Sequence, residues 1–492
     1  MITADNKDEG YTASLPLWMH VRAAIRGKQG AMELVRNDDF YGVTPPNYRK
    51  TQDNFNEVSE REKKYFGRGR FSNFTGRTHD AYVGMIGSVP VEYKLPAKID
   101  GMADNVDGGK ATLNDFALEI ASELLVTARY GALSNPAMQM GQTQSAAGDS
   151  LPTMIGYNAE QIIYHRVDDG LLQEVRLIES YWEEVDDYEY ELKPQLRRLY
   201  LDENGHYTSE VWRDGEIVTH TVDGKVYASS QPVVNSKKLT YIPFQFYGSE
   251  NNKPTYDRPV MFDLAHQNLG HFQLDCDNRD NLHYHGQGMT NIFTDSPEDI
   301  TENNPGGIDV GAKGKNIWAQ GDRVEILQLK ATGAIATEME RDEKRMIMLG
   351  AQVVQDSSST QTLGAKRIES NASTSQLKRI ALNTAAGLTQ NLRWCAEFAG
   401  ANPDEVMVKV NTKFVTDDLT AQDVQAVFAG VQGGLLPDDL FLEAVRKANY
   451  TDKTDEEIKE LIDEQAQGES EAVAELRLMV EQLTEQLNGS NE

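Results

Sequence analysis

"GAQVVQDSSSTQTLGAKRIES", residues 350–370, separates two long amphipathic runs with a small, polar segment. Upstream, Ile335, Met339, Met346, Leu349 and Val353 recur at spacings of 4, 7, 3 and 4, the stripe of a helix starting near Ala334. Downstream, Ile368, Leu377, Ile380, Leu388, Leu392 and Cys395 predict a helix of about 30 residues over 365–399. Between them stand Ser357, Ser358, Ser359 and Thr360, then a glycine, and finally Lys366 and Arg367. Serine and glycine give a chain freedom, and two cations give it a weak hold on anions.

The segments before this one change character twice. Residues 14–36 read as helix broken near Gly27, and "TPPNY" (44–48) is a break. A helix, a glycine-punctuated turn and a second helix over about 71–86 follow, ended by Gly87 and Pro90. "ATLNDFALEIASELLVTARYG" predicts a helix from Thr112 to Gly131. From about 160 to 247 the period falls to two, with "QEVRLIESYWEEV" and "YELKPQLRRLYL" as strands and "DENG" (202–205) as a hairpin turn. Helical pattern returns from about Arg258 to His285, and a glycine-rich stretch with short strands fills 286–332. The C-terminal part is helical again, with an apolar seam at Val473, Leu476, Val480, Leu483 and Leu487 that needs a partner surface.

Composition narrows the function. The 492 residues, 39% hydrophobic and 25% charged, suit a soluble chain with sizeable cores. No apolar run is long enough for a transmembrane helix, and the polar N-terminus is unlike a signal peptide. Two distant cysteines, Cys276 and Cys395, point to a reducing compartment without a disulfide framework. The formal net charge of −29 excludes a protein that simply coats nucleic acid. Residues 411–492 alone carry 19 acidic and 6 basic side chains. Against this background Lys63, Lys64, Arg68, Arg70 and Arg77 form a basic cluster, either a contact for nucleic acid or a partner, or a solvated helix face.

Catalytic signatures are weak. His266, His271, His283 and His285 fall close together with Cys276, yet spacings of five and two do not converge on one helix face. Polar helix-face histidines are the simpler reading, with a histidine-site metalloenzyme as the alternative. The glycines around Lys313 and Lys315 lack the GxxxxGK[ST] pattern, and the serine triplet lacks a nucleophile elbow. No enzyme, metal or cofactor is expected.

The order of segments resembles that of the portal proteins, the head-to-tail connectors of tailed bacteriophages. The resemblance is carried by "FSNFTGRTHDAYVGMIGSVP" (71–90), "LNDFALEIASELLVTARYGALSNP" (113–136) and "YIPFQFYG" (241–248). It continues through "DLAHQNLGHFQLDCDNRDNLHYHGQ" (263–287) and "GAKGKNIWAQGDRVEILQLKATGAIATEMERDEKRMIMLGAQVV" (311–354). It implies a mainly helical α+β chain assembled as a ring of twelve copies. Its segments would be a wing (1–257), a stem helix (258–285), a clip (286–332), a returning stem helix (333–350) and a tunnel loop (351–367). A long wing helix (368–400) and an acidic helical crown (401–492) would follow. The ring would sit at one capsid vertex of the virion, built in the host bacterial cytoplasm, and double-stranded DNA would pass through it without sequence reading. Ser357, Ser358, Ser359, Thr360, Lys366 and Arg367 would face that DNA. Asn303, Lys313, Lys315 and Arg323 would serve docking at the clip. The implied partners are the terminase motor, the major capsid protein, and neck and tail proteins, with no membrane. The alternative from a neighbouring class is a ring-forming capsid or tail protein without a DNA channel.

Overall fold

A computed structural model describes residues 7–36, 60–136, 151–186, 188–222, 225–234, 236–285, 289–295, 297–298, 302, 304, 323–327, 333–350 and 363–414. The chain divides into two units, Met1–Thr412 and Lys413–Glu492. All but the first two residues of the second unit, and with them the expected seam at 473–487, lie outside the described residues.

The first unit opens with α1 (Glu9–Ile25) and α2 (Lys28–Arg36), parted at Gly27 as the sequence predicts. α1 starts five residues earlier than expected, because Asp8 caps it by accepting from the Gly10 N–H and itself donates its backbone N–H to Ile163 O at 2.9 Å. α3 (Glu60–Arg68) and α4 (Phe74–Ile86) follow, the latter capped by Asn73. A short strand β1 (Glu92–Lys94) leads to α5 (Leu113–Thr127), whose Thr112–Asp115 capping box fixes the first turn. α5 ends before Gly131, because Ala128 takes the left-handed conformation (φ 59°) and closes the helix. Gly131 lies in the next strand, β2 (Arg129–Asn135).

The β-rich section holds two main sheets. β3 (Thr153–Asn158) and β13 (Phe244–Gly248) flank β2 in an antiparallel three-stranded sheet. β4 (Ile162–Asp168), β5 (Leu171–Asp186), β6 (Glu189–Leu201), β7 (Tyr207–Arg213) and β8 (Glu216–Ile217) form a five-stranded antiparallel meander. The expected turn at 202–205 joins β6 to β7: Asp202 Oδ1 accepts from the N–H groups of Asn204 and His206, and Gly205 has φ 73°. Two small hairpins complete the section, β9 (His220–Val222) with β10 (Lys225–Tyr227) and β11 (Val233–Val234) with β12 (Lys237–Lys238).

α6 (Phe262–His285) leads to β14 (Met289–Phe293), which pairs antiparallel with β15 (Arg323–Leu327) before α7 (Ala334–Met348) returns along α6. On α7 only Met346 of the expected stripe is fully buried, while Leu349 stays 45% exposed. α8 (Leu363–Phe398) then runs 36 residues and crosses the three-stranded sheet. Leu388, Leu392 and Cys395 are buried on it, and Asn391 stitches the crossing: its side chain donates to Ala132 O (3.2 Å) and Ser134 Oγ (2.8 Å) and accepts from Tyr247 Oη (2.6 Å). Gly387 lets the helix lie this close, since a Cβ there would stand 2.2 Å from Tyr247 Cε1.

Two expected boundaries move. α8 begins at Leu363, so Lys366 and Arg367 stand on its first turns rather than at the base of a loop. Residues 403–405 form a 3-10 turn, and β16 (Met407–Lys409) pairs with β1, which ties 401–412 to the first unit rather than to an acidic crown. Backbone pairing with β1 holds these residues in the first unit, where the portal resemblance implied the start of the crown.

Candidate functional site

Of the residues singled out for DNA contact, Ser357, Ser358, Ser359 and Thr360 lie outside the described residues. So do Asn303, Lys313 and Lys315 among the docking candidates. Arg323 is described: it opens β15 opposite Phe293, is exposed, and holds its guanidinium 6.0 Å from the Phe293 ring centroid.

The early basic cluster builds a site. The end of α3 and the loop after it, Gly67–Arg70, press against α6, and a Cβ on Gly69 would stand 2.3 Å from Cys276 Sγ. That close approach brings α3, the start of α2 and the last turns of α6 around one open cleft of about 1010 Å³. Lys28, Arg68, Arg70, Phe71, Arg279 and Leu282 line it.

The cations differ in how far they are neutralised. Arg68 Nη1 donates to Asp280 Oδ1 at 2.5 Å, and Arg279 Nε to Asp275 Oδ2 at 2.8 Å, one helical turn away. Lys28 Nζ donates to the carbonyls of Gly67 (3.2 Å) and Gly69 (2.9 Å). The Arg70 backbone N–H donates to Asp275 Oδ2 (2.6 Å), while its side chain is exposed. Among the described residues, neither Lys28 nor the Arg70 guanidinium has a carboxylate partner. Below them, burial raises the Tyr65 hydroxyl, which donates to Asp277 Oδ1 at 2.7 Å, and pushes the Cys276 thiol up to about 12. That thiol is therefore packing, not a nucleophile. Lys64 and Arg77 are exposed nearby in sequence, and the Lys63 side chain is outside the described residues.

Sequence reasoning found Arg68 and Arg70 but missed Lys28 and Arg279. Both are contributed from distant positions, and the one available sign was the surplus of lysine and arginine flanking Gly27.

His266 and His271 do not converge, and the His285 side chain lies outside the described residues. His266 Nδ1 lies 3.4 Å from His20 Nε2 on α1, while His271 is buried beside α7 with Nε2 3.4 Å from Glu343 Oε1. No group of three potential metal ligands occurs among the described residues. No helix among them is long and apolar enough to cross a membrane.

A family model, a domain of unknown function (DUF4055), matches residues 260–399, which span α6 through α8. No curated protein matches the chain. In solved structures the chain is similar to one in the virion of a native gene transfer agent (GTA) particle, at 10% identity and a TM-score of 0.37, covering 73% of this chain and 85% of that one. It is similar to a chain in the neck of an empty GTA particle computed with C6 symmetry, at 10% identity and 0.40, covering 76% and 90%. A chain in the neck of a native GTA particle computed with C12 symmetry gives 12% identity and 0.37, covering 78% and 92%.

Proposed function

We propose that this chain is a portal-type ring subunit, whose copies enclose a channel for double-stranded DNA at a capsid vertex. The observation that carries the reading is the path of the chain through 262–398. α6 leads out to an antiparallel pair, α7 returns along α6, and the 36-residue α8 crosses back over the main sheet. A helix pair that carries a small β excursion at one end suits a stem with a clip. Loops at such a tip are free to meet other proteins, here the packaging motor and later the neck. The surplus of carboxylates suits a channel wall, because a wall of like charge lets a duplex slide without adhering. In this reading Lys366 and Arg367, with the serine segment before them, are the weak cationic contact, and Arg323 with Asn303, Lys313 and Lys315 serves the docking surface.

A reconstruction of DNA-filled particles containing this chain tests the reading. Duplex density along the axis of a ring built from the chain is the expected result. A ring of this chain lying off the DNA path would leave a structural ring protein without a channel.

A further inference from the structure

We propose that the acidic tip of the β5–β6 ribbon of one copy docks into the basic cleft of a neighbouring copy. The proposal rests on the ring reading, since it needs copies side by side. β5 pairs with β4 only as far as Leu177, and β6 pairs with β7 only from Leu196. Among the described residues, 178–186 and 188–195 are thus a two-stranded ribbon with no third strand paired to it. Such a ribbon is marginal in water unless something covers a face.

One face asks for cover. Trp182 lies opposite Leu192, and Glu184 opposite Tyr190, so Trp182, Tyr190 and Leu192 share a side. They are 67%, 57% and 54% exposed, and Tyr188 at the turn is 98% exposed. The other face is satisfied within the chain: Lys193 pairs with Glu183, and the Tyr181 ring lies 3.7 Å under the Arg213 guanidinium. Adjacent large apolar side chains left in water mark an interaction surface.

Charge selects the occupant. Residues 183–193 hold six carboxylates and one lysine. A chain of net charge −29 repels such a tip over most of its surface. The cleft offers the opposite sign: Lys28 and Arg70 lack carboxylate partners among the described residues, and Leu282 at its rim is 56% exposed. It is open and, at about 1010 Å³, roomy enough for an indole and a phenol. Nucleic acid fits it less well. Asp275 and Asp280 already neutralise two of its four cations, and a phosphate backbone offers nothing to Leu282. Ribbon and cleft are both exposed in the same chain, so the match is made between copies. It is a head-to-tail contact of two different surfaces, the kind that generates a ring when the rotation closes.

Site-directed cross-linking of the full-length protein tests this. Both native cysteines are buried, so they add little background. Tyr188→Cys combined with Leu282→Cys, treated with a short bismaleimide, should give a covalent ladder on a denaturing gel, and neither single variant should. Arg70→Glu and Glu184→Lys should each weaken assembly, and the two together should restore it. Trp182→Ala should raise the concentration needed for assembly roughly thirtyfold, as for a buried aromatic anchor. Circular dichroism checks that each variant folds. Rings of the wild type without a ladder, and charge reversals that add rather than compensate, overturn the contact while the ring reading stands. A wild type that never assembles overturns both. Trp182→Ala rings that form normally but fail to join heads would assign the ribbon to another protein and end the proposal.

Discussion

His20 and His165 show how single buried groups set the conditions under which this fold holds. Burial, with His266 nearby, lowers the His20 imidazole from 6.5 to about 4. Burial, with Arg129 beside it, does the same to His165, although Asp8 opposes the shift. Both side chains fold neutral and charge more readily in the unfolded chain. Their contribution is therefore complete above about pH 6.5 and is lost as the pH falls from there toward 4. At pH 5 the loss is on the order of 1–2 kcal/mol for each histidine. Urea unfolding at pH 7.5 and pH 5 checks it. The wild type should lose more stability between the two than a His20→Gln/His165→Gln variant; equal losses would place the acid sensitivity elsewhere. Arg129 lies against His165, Nη2 3.4 Å from its Nδ1. It is buried between the rings of Phe246 and Tyr256, 4.8 and 4.2 Å from their centroids, and Nη1 donates to Thr255 O at 2.8 Å. No spacing in the sequence distinguishes this arginine from a surface one.

Elements with local causes were legible, and those set by distant contacts were not. The helix start at Thr112, fixed by its capping box, and the turn at Asp202–Gly205 are short-range chemistry, and both occur where the residues predict. The end of α5 at Ala128 depends on a left-handed alanine held by its surroundings, which no glycine announces. The cleft was half legible because Arg68 and Arg70 stand two apart in the chain, whereas Lys28 and Arg279 reach it only through helix packing. α8 offers a direct check of such packing. Gly387→Ala would drive a methyl into Tyr247, which is 1% exposed and tied to Asn391. It should cost about 1–3 kcal/mol, read as a lower urea midpoint with an unchanged slope; a neutral result would mean that α8 stands further from the sheet. The start of α8 carries a second prediction. Cations on a first turn oppose the helix dipole, so Lys366→Ala with Arg367→Ala should leave the helix at least as stable. On the proposed portal reading, the pair should weaken DNA contact by no more than about two phosphates, with the effect shrinking as salt rises. Prolines at 357–359 restrict the segment without touching charge and should lower genome retention more. Silent prolines would show that freedom in that segment is not needed. Loss of assembly in either variant would make it a subunit contact instead.

At the scale of the whole molecule, the first unit is a mixed α+β body whose surface is uneven in two ways. Carboxylates dominate it, and yet a basic cleft, an aromatic ribbon and the exposed Met348 and Leu349 at the end of α7 interrupt them. A monomer gains nothing from leaving these surfaces in water; copies packed around an axis would cover them. The mass and shape of the purified protein test this most directly. Native mass spectrometry should give one dominant species near twelve times the 54.9 kDa of the chain, and electron microscopy of the same sample should show closed rings with an open centre. A monodisperse monomer at 54.9 kDa, persisting at high micromolar concentration with no rings in the images, would contradict it.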